Sequence, residues 1–299
     1  MKRRIEKIEP ILFITPALIG IIVFTLYPFV NVIIMAFKED YNFLTTEFTK
    51  FGLKNFEIIF NDPYFIQAMK NSFMYVLIVV PVSTAIAVIV ANLLNQNIRF
   101  KAFLQTSYFL PMVTSITAVG MAWKFMFNYQ NGIINYVLSF FGVDAINWLQ
   151  NPNYNFLALV IYGIWSILPF TIIVLLSGLQ NINPLYYTAA KVDGAKAFKI
   201  FQRITLPLLA PTIGLVMVIN TISTFKVFNE LFPLFQGPGI AYNLFTVVYY
   251  IYYHFRSLTP PKYGIAAAAA IILFFMILIF TSLQIYIQKK GSVYKDGKN

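Results

Sequence analysis

The sequence predicts an all-α, polytopic membrane protein with six transmembrane helices and both termini in the cytoplasm. Three observations carry that prediction: a composition that is 59% hydrophobic and only 11% charged, six long uncharged runs, and lysine and arginine concentrated in alternate connections. A soluble globule normally carries about 25% charged residues, so this chain has too little polar surface to close one. Its 299 residues read as a single transmembrane domain. The absence of cysteine excludes a disulfide framework, thiol chemistry and thiolate metal sites.

A helix needs roughly 20 apolar residues to cross a bilayer. The spans expected on that basis are about 11–37, 72–94, 103–123, 156–179, 204–230 (uncharged as far as Phe225) and 265–287. The first follows Met1-Lys-Arg-Arg, which looks like the start of a signal peptide. Its 27 uncharged residues exceed the usual 7–15-residue apolar region of such peptides, so it reads as an uncleaved span. Proline interrupts the spans at Pro16, Pro28, Pro81, Pro111, Pro169 and Pro211. Lipid-spanning helices tolerate this when neighbours satisfy the freed carbonyls, and kinked, tightly packed helices are implied. Segment 242–255 is apolar and tyrosine-rich yet too short to span. It is expected as an interfacial helix on the outer face, because a seventh crossing would put Lys289 and Lys290 outside.

Orientation follows from the charges. Connections 1–10, 95–102, 180–203 and 288–299 hold fourteen basic residues against four acidic ones, whereas the remaining connections hold eight against seven. The basic set belongs in the cytoplasm. The overall charge of +11 is then a signature of topology, with membrane lipid as its partner, and does not point to nucleic acid.

The segment joining the fourth and fifth spans carries the most information. Asn183 can cap a helix, Pro184 suits its first position, and Gly194 can take the left-handed conformation that ends it, so a helix of about ten residues is expected from Pro184 to Asp193. A second helix should start after Gly194 and carry Lys196, Lys199 and Arg203 back to the membrane. Ala189, Ala190, Gly194, Ile204, Leu206 and Pro207 fall at the spacing Glu-Ala-Ala, three residues, Gly, nine residues, Ile, one residue, Leu-Pro, with Thr188 standing at the glutamate position.

That spacing resembles the loop of permease subunits of binding-protein-dependent ABC importers. The resemblance extends, more loosely, through Phe225 to Glu230, Gly237-Pro-Gly239, Thr246 and the tyrosine run, and Gly264 with Ala266 to Ala268, to the carbohydrate-uptake branch of maltose and glycerol phosphate type. It implies a coupling loop, 181–206, in which Thr188, Ala189, Ala190, Asp193, Gly194, Ile204, Leu206 and Pro207 meet a cytoplasmic ATPase dimer. It also implies a second homologous permease that completes the pathway, an extracytoplasmic solute-binding protein, and a sugar substrate, an oligosaccharide in the first instance. The setting is the multi-pass plasma membrane of a prokaryote. No cofactor is expected on this chain, since ATP and Mg would be bound by the partner ATPase.

The sequence agrees that the energy source lies elsewhere. The single Gly-Lys pair, Gly297-Lys298, is followed by Asn299, so there is no phosphate-cradling loop. His254 has no histidine, cysteine or suitably spaced carboxylate beside it and reads as an interfacial polar residue. No nucleophile, base or metal constellation points to an enzyme. Lys226 and Glu230, four apart near the outer end of the fifth span, could pair on one helix face or line the pathway. Sugars are held by aromatic faces, amides and hydroxyls, which nominates Trp123, Tyr162, Trp165, Asn220, Thr221, Thr224 and Asn229 for the pathway. The same polar residues also serve to join helices in lipid. An ion-gradient-driven secondary transporter is the alternative from another class. The nearly charge-free spans, the lack of paired broken helices and the central loop spacing all stand against it.

Overall fold

The computed structural model describes residues 13–96 and 99–293. The expected cytoplasmic segment 1–10, the start of the first span, and Lys295 and Lys298 of the tail lie outside them. Among the described residues five helices are long and apolar enough to cross a membrane, or six when one sharply bent pair is taken as a single span. They are α1 (Phe13–Phe37), α3 (Pro63–Leu94), α7 (Asn155–Gln180), α9 (Ala197–Thr224) and α12 (Tyr263–Val293). The bent pair is α4 (Lys101–Val113) and α5 (Ile116–Met126). Shorter helices α2 (Lys54–Phe60), α6 (Ile133–Ser139), α8 (Pro184–Val192), α10 (Leu231–Phe235) and α11 (Val247–Tyr252) lie in the connections. The described residues contain one isolated bridge, Lys38 to Phe51, and no strand.

Proline shapes these helices in two ways. In α1 and α9 a π turn, Ile22–Leu26 and Phe201–Thr205, runs up to the residue pair that ends in Pro28 and Pro207. Widening the turn moves the carbonyl with which the ring would clash. In the third span the result is a break. One span, kinked by Pro111, was expected over 103–123, but α4 and α5 meet at 107°, because Thr114 and Ser115 leave the helical conformation. Pro111 supplies no amide to the turn before it, and the Thr114 amide bonds Pro111 O at 3.3 Å. The Thr114 hydroxyl takes over its own amide's usual acceptor, Leu110 O, at 2.9 Å. Two of the carbonyls at the break, those of Leu110 and Pro111, thereby keep a partner, which the lipid environment favours.

The chain packs as two units. The first comprises the residues up to Ile66 together with Tyr250–Phe275. Its loop between α1 and α2 is tied down by polar groups: buried Asn55 donates to Ala36 O and Lys38 O, both at 2.9 Å, and buried Glu39 accepts from Lys54 N at 3.2 Å. Gly264 must be glycine here, because a Cβ would come within 2.7 Å of the Asn55 amide nitrogen. Asp62 joins two jobs. One oxygen caps α3 through Tyr64 N at 2.9 Å, and the other accepts the Tyr250 hydroxyl at 2.6 Å. Segment 242–255 becomes the short helix α11 and a π turn to Ser257, and His254 in that turn is buried against the Tyr250 ring, 4.2 Å between centroids. Of Phe13–Phe37 only Ala36 is buried.

The second unit, Gln67–Tyr249 with the residues from Met276 on, holds a hydrophobic core. Ala87, Ala91 and Leu94 of α3, Ile172, Leu175 and Leu179 of α7, and Leu209 and Val216 of α9 are buried against one another. Such packing, rather than the hydrophobic effect, holds helices together in lipid. Outside the spans, Asn135 fastens the 128–155 loop by accepting the Trp148 indole N–H at 2.9 Å and donating to Ile146 O at 2.9 Å. Asn155 and Asn243 exchange amide hydrogen bonds in both directions at 2.9 Å.

Candidate functional site

Two places in the second unit gather the residues that the sequence singles out. The first is the projection between α7 and α9. The Asn183 side chain accepts from Leu185 N at 3.0 Å and starts α8 at Pro184. The helix ends at Val192, with Asp193 as its cap and Gly194 at φ +73°. Ala195 N reaches Ala190 O at 2.9 Å and Gly194 N reaches Lys191 O at 3.0 Å. This paired closure satisfies the last carbonyls and reverses the chain within two residues. The chain then re-enters a helix at Ala197, which runs unbroken through Pro207 into the span.

The projection is polar in charge and apolar in contact. Leu185 is 71% exposed, Val192 83% and Phe198 69%, on a surface that also carries Thr188, Ala189 and Gly194. Ala190, Asp193, Gly194 and Ile204 line a concave face together with Lys199 and Arg203. Leu206 and Pro207 are half-buried at the base, inside α9. Exposed large apolar side chains in a cluster mark a binding surface.

The second place is where α5 packs on α7, toward the 128–155 loop. Trp123 on α5 meets Trp165 and Tyr162 on α7, with ring centroids 5.2 and 5.9 Å apart, both edge to face. Phe127 and Trp148 continue the contacts at 5.4 and 5.7 Å toward the 128–155 loop. Trp123 and Tyr162 are buried, and Trp165 is half-buried. The polar candidates divide. Asn220 donates to Thr171 at 2.9 Å in the buried interface of α9 with α7, a helix joint, and Gln284 on α12 donates to Thr221 at 2.8 Å. Thr224 is buried at the end of α9, and Asn229 is exposed in the turn that follows.

The Lys226–Glu230 pair, one of the two readings left open, does not form. It required the helix to continue, but α9 ends at Thr224, and the Glu230 carboxylate instead accepts from Phe228 N at 3.1 Å while Lys226 is exposed. Sequence reasoning missed Thr171, and it missed Gln284 and Gln288. The latter reaches Pro211 O at 3.1 Å. Their signal was present, since two glutamines four apart on an otherwise apolar span share a face.

A set of kinked apolar helices with hydrogen-bonded polar joints and an exposed two-helix projection defines a membrane transport subunit. The chain belongs to the family described as binding-protein-dependent transport system inner membrane component, which matches residues 83–292. It is accordingly a multi-pass protein of the plasma membrane. Relatives include the arabinooligosaccharides transport system permease protein AraP of Halalkalibacterium halodurans, 30% identical over 96% of this chain and 90% of that one. The trehalose/maltose transport system permease protein MalF of Thermococcus litoralis is 30% identical over 92% of each. Among solved structures, a chain of the bacterial alginate ABC transporter, in complex with a periplasmic protein bound to alginate pentasaccharide, superposes with a TM-score of 0.80. It is 26% identical and covers 99% of this chain and 98% of its own.

Proposed function

We propose that this chain is the transmembrane subunit of an ATP-driven sugar importer, with an oligosaccharide as its cargo. It forms half of a pathway that a second homologous permease completes, and its 181–206 loop couples to a separate ATPase dimer. An extracytoplasmic binding protein delivers the sugar to the outer loops. Family membership supports the binding-protein-dependent class, and the names of the relatives support saccharides. The observation that carries the coupling role is the apolar projection of Leu185, Val192 and Phe198 around Ala189 and Gly194, a surface too apolar for water and too charged at its base for lipid.

In this reading, closure of the ATPase dimer on ATP draws the two coupling loops together. Because α9 is continuous from Ala197, a push on the loop moves the span that carries Asn220 and Thr224. The basic connections, with Lys191, Lys196, Lys199 and Arg203, face the cytoplasm. ATP and Mg belong to the partner.

The test is purification of the tagged chain from native membranes in mild detergent, with mass spectrometry of what accompanies it. A second multi-span permease and an ATPase with a phosphate-binding loop are expected. Recovery of the chain alone, still transporting in vesicles without ATP, would overturn the proposal.

A further inference from the structure

A groove of about 330 Å³ runs between α1, the π turn that follows α11, and the start of α12, all within the first unit. The short side chains of Ala266, Ala267 and Ala270 on α12 give it depth, and Val32 and Met35 of α1 line it together with Ile251 and Phe255. The flanking helices touch at Phe29 and Phe274, ring centroids 5.4 Å apart, and again where a Cβ on Gly264 would lie 3.0 Å from Lys38 O. Both helices are spans, so the groove opens on lipid wherever no other protein covers it.

One end of the groove is charged. Phe255 and Tyr263 meet there edge to face at 5.1 Å, and Lys262 N donates to His254 O at 2.8 Å, which holds the two chain segments side by side. Arg256 follows Phe255 and Lys262 precedes Tyr263; both are exposed and form no ion pair among the described residues. The lysines at the end of α1 and before α2 are already engaged. Lys38 lies 4.9 Å over the Phe48 ring, Lys50 is 3.8 Å from Glu39, and Lys54 is 2.7 Å from Asp40. Asn31, one turn along α1 from Met35, is exposed and brings a polar side chain to the apolar part of the groove.

We propose that this groove binds an anionic phospholipid: one acyl chain lies along the alanines, Asn31 donates its amide to a glycerol ester carbonyl, and the phosphate meets Arg256 and Lys262. The site needs only the membrane setting and is independent of the importer reading. Charge complementarity selects the headgroup, because basic side chains at a membrane surface attract anionic lipid. The amide of Asn31 needs an acceptor where water is scarce, and an ester carbonyl is one that lipid supplies. Size favours an acyl chain over a neighbouring helix, since one helical turn with its side chains, about 10 Å wide and 5.4 Å long, fills roughly 420 Å³. That exceeds the whole groove.

The experiment places the purified complex in phosphatidylcholine vesicles with a trace of phosphatidylglycerol that carries a diazirine partway along one acyl chain. After illumination, residue-resolved mass spectrometry locates the label, and the same tail on phosphatidylcholine serves as the comparison. Labelling at Val32, Met35 and Ile251 is referred to Val30, which is exposed on α1 outside the groove. The ratio should be about tenfold higher for phosphatidylglycerol, within what two basic side chains at a membrane surface contribute. Arg256→Gln combined with Lys262→Gln should bring the two headgroups to within about twofold of each other and leave labelling at Val30 unchanged. Ala270→Leu, which fills the groove, should displace both lipids from it. Equal ratios for the two headgroups in the unaltered chain would overturn the proposal, and so would a preference that survives the loss of both charges. Groove labelling that persists in Ala270→Leu would overturn the groove as the site. A groove that neither lipid labels, while Val30 is labelled, would also overturn the proposal and would mean that a protein helix covers this face.

Discussion

At Gly163, α7 leaves no space for a side chain, because any Cβ would overlap the Tyr75 hydroxyl of α3. Gly163→Val should overpack this contact at a cost of roughly 1–3 kcal/mol. A lower melting temperature of the detergent-purified protein is expected, and an unchanged melting curve would mean that the helices separate there freely. His254 makes a different demand. Burial lowers its pKa from the ordinary 6.5, while its backbone bond to Tyr250 and the Asp62 charge oppose the shift. A histidine whose folded pKa lies below its unfolded value contributes stability that is complete above the unfolded value and lost as pH falls toward the folded one. The first unit should therefore loosen below about pH 6.5, the ordinary histidine value. Faster exchange of the 250–257 amides on mild acidification, corrected for intrinsic rates and abolished in His254→Gln, would be the sign of it; a pH-independent profile in the unaltered protein would rule it out. Tyr250, one helical turn before His254, lies against its ring and is itself held by Asp62, 188 residues away. Nothing local announced the tie to Asp62, and the sequence offered only an interfacial polar side chain.

The elements were legible where their signals are local and lost where they are not. Asn183-Pro184 and Gly194 bracket α8 within a residue of where it lies, because caps and left-handed glycine act through neighbouring backbone groups. Hydropathy cannot see a break such as that at Thr114-Ser115. A run of apolar residues reads the same whether its amides bond up the helix or a hydroxyl takes their place. The Lys226–Glu230 expectation failed for the related reason that it extended helical spacing past the last helical residue. Gly194 is the position where the local reading makes its sharpest demand. With φ at +73°, a β-branched residue there would be strained by roughly 1–2 kcal/mol. Gly194 itself is exposed, and a Cβ there meets nothing within 4 Å. Gly194→Ile should therefore insert and fold yet deform the turn between α8 and α9. Vesicles carrying it should hydrolyse ATP while accumulating little sugar. Transport at the unaltered rate would sink the coupling role.

On the scale of the whole molecule, the span inventory came from composition, but the polar seam came from packing: Asn220 with Thr171 and Thr221 with Gln284 are 49 and 63 residues apart, and no single-sequence pattern pairs them. Orientation has the opposite character, being written in charges that the packing does not use. Lys191, Lys196 and Lys199, all in the connection between α7 and α9, are exposed and form no ion pair among the described residues. The same asymmetry predicts that the 128–155 loop and Lys38–Lys54 face outward. The chain contains no cysteine, so single cysteines can be introduced without background. Asn153→Cys and Lys191→Cys both replace exposed side chains outside the spans. A membrane-impermeant maleimide added to intact cells or spheroplasts should label the first and spare the second, and permeabilisation should expose the second. The reverse pattern would put the projection outside, out of reach of any ATPase, and would defeat the importer mechanism together with the orientation. Labelling of both before permeabilisation would show that the segment carrying Lys191 is not enclosed by the membrane at all.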